Sequence, residues 1–137
     1  MQVIVDLFGD APYSDAIKGD ITEGLVLSPA FNSAKDVIYP DIERRVLRGL
    51  RLLDTVNASL SQPGTNDLIY PNTVDLDAWK DHWRKFGNSL LLKIYMRQGS
   101  NAKFAQLYNS PTSDFILTND DNAKISYTGD AQGSNPL

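Results

Sequence analysis

The chain has 137 residues, carries a net charge of −4 and is 42% hydrophobic, which is typical of one globular domain with a modest core. This composition excludes a wholly disordered chain. The absence of cysteine excludes disulfides, thiolate nucleophiles and cysteine-based metal sites.

The N-terminal stretch MQVIVDLF places Val3, Val5 and Leu7 at every second position, which predicts a short strand or extended arm. It lacks the basic start of a signal peptide, and no run in the chain reaches the roughly 18 apolar residues that span a membrane. We therefore expect a protein that is assembled in a cytoplasm without contact with a membrane. Ser28 followed by Pro29 predicts the start of a short helix over residues 29–37.

The first long helix is predicted over residues 41–60. Its apolar residues recur at three- and four-residue steps from Ile42 to Leu60 and form one stripe. Arg44, Arg48 and Arg51 share the opposite face. We expect these arginines to contact acidic surface on a partner or the phosphates of DNA. The pI of about 4.8 argues against a dedicated nucleic-acid-binding protein.

The second long helix is predicted over residues 75–98. One apolar stripe runs along it, and further apolar residues lie off this stripe in its second half, so that only Lys93 and Arg97 form a polar edge. We expect these two cations to join the electrostatic contact with a partner or DNA. The off-stripe residues predict contact with another subunit, and they are Leu91, Leu92, Tyr95 and Met96. The alternative, that the N-terminal segment and the last hairpin of the same chain cover them, stays open.

A short helix over residues 102–108 and a hairpin over residues 115–129 complete the pattern. The predicted fold is therefore mainly α. It has two principal antiparallel helices, short flanking helices, an N-terminal extended segment and a C-terminal hairpin. We expect residues 1–110 to form a helical core domain and residues 111–137 to form an arm that docks on a partner. The arm's contact residues would be Phe115, Ile116, Tyr127 and Leu137.

The residues predict no catalytic group, no cofactor and no metal centre. His82 is the only histidine, and no nucleophile motif or phosphate-binding loop accompanies it. It is predicted to be an ordinary histidine of a helix face or an interface. The aspartates at positions 6, 10, 15 and 20 do not have the spacing of a calcium loop, and turn formation explains them. A metal at this cluster stays open.

The run Leu50-Arg51-Leu52-Leu53, followed by Pro71 and by Asn88-Ser89-Leu90, resembles the head-to-tail connector (adaptor) proteins of tailed bacteriophages over about residues 40–110. The resemblance implies a ring, usually of twelve subunits, which docks on the portal around a DNA channel and contacts tail proteins. It implies a virion location after assembly in the host cytoplasm.

We therefore expect a non-enzymatic, ring-forming structural protein of a virion. One alternative is a small monomeric regulatory or inhibitor protein that binds one partner through the basic helix face. Another is an enzyme that uses Asp6, Asp10 and His82 and depends on a metal.

Overall fold

The computed structural model describes residues 1–16, 18, 29–57, 66–71, 73 and 75–125. Four α-helices dominate these ranges, and a single pair of two-residue strands accompanies them, so the predicted mainly α class is confirmed. In chain order the elements are α1 (Gln2–Phe8), β1 (Ala11–Pro12), β2 (Phe31–Asn32), a π-helical turn (Ala34–Ile38), α2 (Tyr39–Leu53), α3 (Leu76–Gln98), α4 (Asn101–Tyr108) and a 3₁₀ turn (Asn119–Asp121).

The two long helices, α2 and α3, pack side by side and run antiparallel. The Tyr95 hydroxyl donates to a Glu43 carboxylate oxygen at 3.2 Å near one end of the pair. Arg84 lies 3.0 Å from Asp54 near the other end. Positions late in α3 therefore meet positions early in α2, as expected for helices joined head to tail by one connection.

Gly87 lies where α2 and α3 approach most closely. A Cβ atom added at this position would lie 2.7 Å from Cδ2 of Leu50, which is closer than real Cβ atoms come to a neighbour. Glycine has no side chain, so its use here allows the α2 leucine to sit directly against the α3 backbone. A side chain at position 87 would therefore have to displace Leu50.

The bounds of α3 match the prediction, whereas α2 ends earlier than expected. Asp75 caps α3 by accepting a hydrogen bond from the Asp77 amide at 3.0 Å, and Gly99 ends it in the left-handed conformation with φ of 66°. In α2 the Thr55 hydroxyl donates to the Leu52 carbonyl oxygen at 2.7 Å. This side chain competes for a carbonyl of the last turn, and the helix ends at Leu53 rather than at residue 60.

The hydrophobic core surrounds the second half of α3. Its buried residues are Val5, Ala11, Ile38, Tyr39, Leu91, Ile94 and Tyr95, and Phe104 and Leu107 of α4 pack against them. Leu91 and Tyr95, which were predicted to contact another subunit, are only 1% and 7% exposed and lie inside this chain. Helices α1, α2 and α4 cover them, as the open alternative allowed for the N-terminal segment. Leu92 is half-buried and Met96 is 65% exposed, so these two residues keep accessible surface.

The N-terminal strand prediction is wrong, because Gln2–Phe8 form a helix. Residues 3 and 7 of the alternating pattern also share one face of a helix. A pattern this short therefore fits both a strand and a helix. Tertiary contacts decide between them: Val5 enters the core, and Asp6 accepts a hydrogen bond from the Tyr39 hydroxyl at 2.5 Å.

The short helix predicted over residues 29–37 is also only partly present. Phe31 and Asn32 pair with Pro12 and Ala11 in the antiparallel sheet, and helical structure begins at Ala34. Ser33 caps this turn by accepting a hydrogen bond from the Asp36 amide at 3.2 Å.

Within the described residues the predicted C-terminal hairpin is absent, and a 3₁₀ turn stands in its place. Residues 111–125 pack on their own chain. Phe115 stacks on Tyr108 of α4, with ring centroids 6.0 Å apart, and the Ile116 amide donates to the Ser89 hydroxyl at 2.9 Å. The other two residues of the predicted arm, Tyr127 and Leu137, lie outside the described residues.

Candidate functional site

The first half of α3 is joined to the loop before it by a buried aspartate. Asp67 is 8% exposed, and one oxygen of its carboxylate accepts hydrogen bonds from the indole nitrogens of Trp79 at 2.7 Å and Trp83 at 3.0 Å. The other oxygen accepts from the backbone amides of Ile69 at 2.9 Å and Tyr70 at 3.1 Å. One carboxylate therefore fixes both the loop and two aromatic rings of the helix.

The protonation of Asp67 follows from these contacts. Burial alone would raise the pKa of its carboxyl, but the hydrogen bonds from Tyr70, Trp79, Ile69 and Trp83 lower it, and the net pKa lies below the ordinary value. The carboxylate is thus charged at neutral pH and acts as an acceptor for all four donors.

An aromatic cluster packs around the tryptophans that Asp67 holds. The Tyr70 ring stacks on His82, with centroids 4.8 Å apart and an interplanar angle of 18°, and meets the edge of Trp83 at 5.3 Å. Trp83 in turn makes edge contacts with Trp79 and Phe86. The spacing of these residues along α3 places them on adjacent turns, which is why they meet.

A third segment, the 3₁₀ turn, contacts both Tyr70 of the 66–71 loop and Lys85 of α3. The Asp121 carboxylate accepts from the Lys85 ammonium at 2.6 Å and from the Thr118 hydroxyl at 3.0 Å, and its backbone carbonyl accepts from the Tyr70 hydroxyl at 3.1 Å. Lys85, followed by Thr118, lowers the pKa of the Asp121 carboxyl to about 2. This turn is therefore fixed to α3 and to the 66–71 loop at the same point.

A cleft of about 180 Å³ opens where these three segments meet. We call it the Tyr70–His82 cleft. It is lined by Ile69, Tyr70, Pro71, Thr73, His82, Asp120, Asn122 and Lys124. Stacked rings and apolar side chains form part of its wall, while a carboxylate, an amide and an ammonium supply acceptors and donors. The cleft is smaller than the roughly 300 Å³ of typical drug-sized sites and suits one ring-sized unit of a ligand.

His82 lines this cleft and also carries a buried ring nitrogen. Its Nδ1 atom is buried and has no hydrogen-bond partner within the part of the chain that the structure describes. Buried polar atoms nearly always have a partner, so this nitrogen is an exception among the described residues. His82 therefore lies on a helix face, as predicted, and it also lines the Tyr70–His82 cleft.

A second cavity, of about 260 Å³, lies between α2 and α3. Its lining is apolar apart from the backbone: Val46, Gly49, Leu50, Leu53, Trp79, Trp83, Phe86, Gly87 and Leu90. It lacks the polar side chains that would orient a hydrogen-bonding ligand. We therefore take the Tyr70–His82 cleft as the candidate site.

The cations predicted to contact a partner or DNA divide into two groups. Lys93 and Arg97 lie 3.8 Å and 3.9 Å from a carboxylate oxygen of Asp6, so much of their charge is balanced within the chain. Arg44, Arg48 and Arg51 are exposed on α2. Of these, Arg44 forms an ion pair with Asp41. Contact of this face with a partner stays a prediction.

The three residues of the enzyme hypothesis are not brought together. Asp6 meets α3 at residues 93 and 97, which lie eleven or more residues beyond His82 and therefore about 16 Å or more along the helix axis. Asp10 accepts a hydrogen bond from the Ala34 amide at 2.7 Å. Among the described residues no group of three or more histidine, aspartate or glutamate side chains is placed to hold a metal ion.

The whole chain, residues 1–137, matches the model of a SusD-like family that is described as starch-binding and associating with the outer membrane. The chain belongs to this SusD-like family. No curated protein and no solved structure matches it. In the described ranges, no helix is both long enough and apolar enough to cross a membrane.

This membership overturns the resemblance to bacteriophage connectors. Several predictions are wrong, because the family is starch-binding and associates with the outer membrane. They are the structural role in a virion, the ring on a portal, the tail-protein and DNA partners, the virion location and the absence of contact with a membrane. The family gives no support to a monomeric regulator or inhibitor either. The runs at residues 50–53 and 88–90 are parts of amphipathic helices, and such short runs occur in any helical protein.

Most of the site was missed from the sequence. The stretch DLIYP, residues 67–71, was not predicted to be part of a site. An aspartate in a turn often accepts hydrogen bonds from the backbone amides two or three residues ahead, as Asp67 does from Ile69 and Tyr70. Two tryptophans four residues apart were a second signal, because both need partners for their indole N–H groups.

Proposed function

We propose that this SusD-like chain is a non-catalytic carbohydrate-binding protein that acts at the outer membrane, and that the Tyr70–His82 cleft takes one glucose unit of a starch chain. The observation that carries the proposal is a stacked Tyr70–His82 pair that lines a cleft together with a carboxylate, an amide and an ammonium, in a chain of a starch-binding family. A glucose ring has apolar C–H faces and a rim of hydroxyls. Aromatic rings suit the faces, while Asp120, Asn122 and Lys124 suit the rim.

The environment of the carboxylates supports binding rather than hydrolysis. Glycoside hydrolysis uses two carboxyl groups that flank the scissile bond, one of them able to give a proton. Asp121 is held by Lys85 and Thr118 with its pKa lowered to about 2, and all four contacts of Asp67 favour its charged form. Neither group is poised to donate a proton at neutral pH, and among the described residues Asp120 is the one carboxylate that lines the cleft.

Isothermal titration calorimetry with maltoheptaose, a soluble fragment of starch, tests the proposal. We expect the wild type to bind it and the double variant Asp120→Ala/Lys124→Ala to bind at least about tenfold more weakly, because two hydrogen-bonding groups are lost. The control removes the exposed ion pair of Asp15 and Lys18, whose atoms lie 3.1 Å apart, and it changes charge by the same amount.

The control variant, Asp15→Ala/Lys18→Ala, should bind like the wild type. Equal binding by all three proteins would place the sugar elsewhere. Absence of binding to the wild type would refute the function. Release of new reducing ends from maltoheptaose during incubation would refute the non-catalytic part of the proposal.

A further inference from the structure

The polar side of the Tyr70–His82 cleft comes from a single segment. The stacked rings and the apolar side chains belong to α3 and to the chain just before it, whereas the charged and amide side chains that line the cleft in the described part of the chain lie within residues 120–124. These polar side chains are Asp120, Asn122 and Lys124. A ligand that contacts both sides binds tightly only where the two sides are held at a fixed distance from each other.

Asp121 lies between two of these side chains in the sequence but is turned toward the protein. It is 8% exposed, whereas Asp120 and Asn122 on either side of it are exposed. Its carboxylate accepts a hydrogen bond from the Lys85 ammonium of α3 at 2.6 Å. Its backbone carbonyl accepts one from the Tyr70 hydroxyl at 3.1 Å. One residue thus ties the segment both to the helix and to the aromatic side of the cleft.

The other hydrogen bonds of this segment stay within it. The Thr118 hydroxyl donates to the Asp121 carboxylate at 3.0 Å, and the Asn122 amide donates to the Asn119 side chain at 3.2 Å. Where the structure describes the chain, every hydrogen bond between residues 117–125 and another segment therefore ends on Asp121. The position of the polar side of the cleft depends on the groups that Asp121 binds.

Lys85 is placed to hold this segment without touching a ligand. It follows His82 by three residues, so the two side chains leave the same face of α3. Neither Lys85 nor Asp121 is among the described residues that line the cleft. Their side chains are 29% and 11% exposed, so salt screens this ion pair less than it screens a surface pair. The hydrogen bond to Asp121 raises the pKa of Lys85, as expected where each charge stabilises the other.

We propose that Lys85 and Asp121 are positioning residues for the Tyr70–His82 cleft. Their ion pair holds the polar side of the cleft opposite the stacked rings, and sugar affinity depends on this pair although neither side chain contacts the sugar. The inference rests on the proposed function of the cleft. A site that is correctly assembled for only a fraction of the time binds with an affinity reduced by that fraction.

Isothermal titration calorimetry with maltoheptaose tests the role of Lys85. Lys85→Met keeps an unbranched side chain but removes the charge, and we expect it to bind about tenfold more weakly than the wild type. Lys85→Arg keeps a cation that can pair with Asp121, and it should bind within about threefold of the wild type. An equally large loss in both variants would contradict the role of the charge and overturn the inference.

The matched control is Lys103→Met, which removes the same charge from a different ion pair. The Lys103 ammonium lies 2.8 Å from a carboxylate oxygen of Glu43, and neither residue lines the cleft. This variant should bind maltoheptaose like the wild type even where urea unfolding shows the same loss of stability as in Lys85→Met. Equal weakening of sugar binding by both variants would assign the effect to a general loss of stability and overturn the inference.

A double-mutant cycle tests whether the two residues act as one pair. Lys85→Met/Asp121→Asn should bind about as weakly as Lys85→Met alone, because changes that break one pair share their cost. Additive losses would overturn the inference. Wild-type affinity in Lys85→Met would also overturn it and would leave the proposed function intact. Absence of binding to the wild type would refute the proposed function itself, and the inference with it.

Discussion

Replacement of Asp67 by alanine should be among the most damaging single changes in the described part of the chain. It would leave four donors without their acceptor: two backbone amides in the 66–71 loop and the indole N–H groups of Trp79 and Trp83. The four hydrogen bonds to one charged group act as a unit, so their individual values do not add.

The magnitude follows from the burial of the group. A hydrogen bond to a charged group contributes about 1.5 to 3 kcal/mol, and loss of one partner of a buried charged network costs about 3 to 5 kcal/mol. We therefore expect Asp67→Ala to lower the free energy of unfolding by about 3 to 5 kcal/mol. Asp67→Asn keeps one acceptor oxygen but turns an N–H₂ group toward the other two donors, so about 2 to 3 kcal/mol is expected.

Urea unfolding followed by far-ultraviolet circular dichroism measures these values without relying on the two tryptophans that the change disturbs. Asp114→Ala is the control, because Asp114 is exposed and no hydrogen bond to its carboxylate is among the described contacts. The control should change stability by less than about 0.5 kcal/mol. A loss below about 1 kcal/mol for Asp67→Ala would refute the reasoning that this carboxylate holds the loop on α3.

The pH dependence of the same variant supplies a second check. The folded-state pKa of Asp67 lies below its unfolded value of about 3.9, so its contribution is present above that pH and is lost as the pH falls through the folded-state pKa. The stability difference between wild type and Asp67→Asn should therefore shrink below about pH 4. A difference that stays constant down to pH 2 would contradict a charged Asp67 in the folded state.

Two further predictions concern the core. Gly87→Ala should destabilise the chain by about 1 to 3 kcal/mol in urea unfolding, because its Cβ would strike Leu50. The cost of Gly87→Ala should be smaller in a Leu50→Ala background. An unchanged unfolding midpoint for Gly87→Ala would contradict the close approach of the two residues. Burial, followed by a neighbouring carboxylate, raises the pKa of both Tyr39 and Tyr95 to about 12, so stability should fall as the pH rises from about 10 to 12. In thermal unfolding scans, Tyr39→Phe and Tyr95→Phe should each reduce the loss of stability between pH 10 and 12. The same loss in both variants as in the wild type would contradict the raised tyrosine pKa values.

The long helices were predictable because their signals are local. The apolar stripe of α3, its aspartate cap and Gly99 at its end act within one segment, and they give the helix at residues 76–98 almost to the residue. The end of α2 was harder to place, since the apolar stripe runs on to Leu60 while Thr55 competes for a backbone carbonyl in the last turn. Periodicity does not register such a side-chain contact.

The N-terminal helix and the site depend on contacts between distant residues. A seven-residue stretch with alternating apolar residues fits a strand or a helix, and the choice is made by Tyr39 and the core, more than thirty residues away. Tyr70 and Asp121 meet across 51 positions. A single sequence gives no indication of such pairs, so the Tyr70–His82 cleft could not be assembled from it.

The apolar second half of α3 shows how burial can be misread. Leu91 and Tyr95 lie off the main stripe and were predicted to contact another subunit, because the core of so small a chain was not expected to cover them. Once α1 is a helix that adds Val5, and α4 adds Phe104 and Leu107, the chain covers them itself. Because the N-terminal helix was not predicted, coverage by the same chain could not be preferred over contact with another subunit.

Titration of the ¹⁵N-labelled protein with maltoheptaose, followed by ¹H–¹⁵N correlation spectra, tests whether the Tyr70–His82 cleft binds a starch chain. We expect saturable shifts of the amide signals of residues 69, 70, 73, 82 and 120–124. The indole signals of Trp79 and Trp83 should shift less, because their N–H groups face Asp67. Shifts confined to other segments, or none at millimolar sugar, would contradict the account.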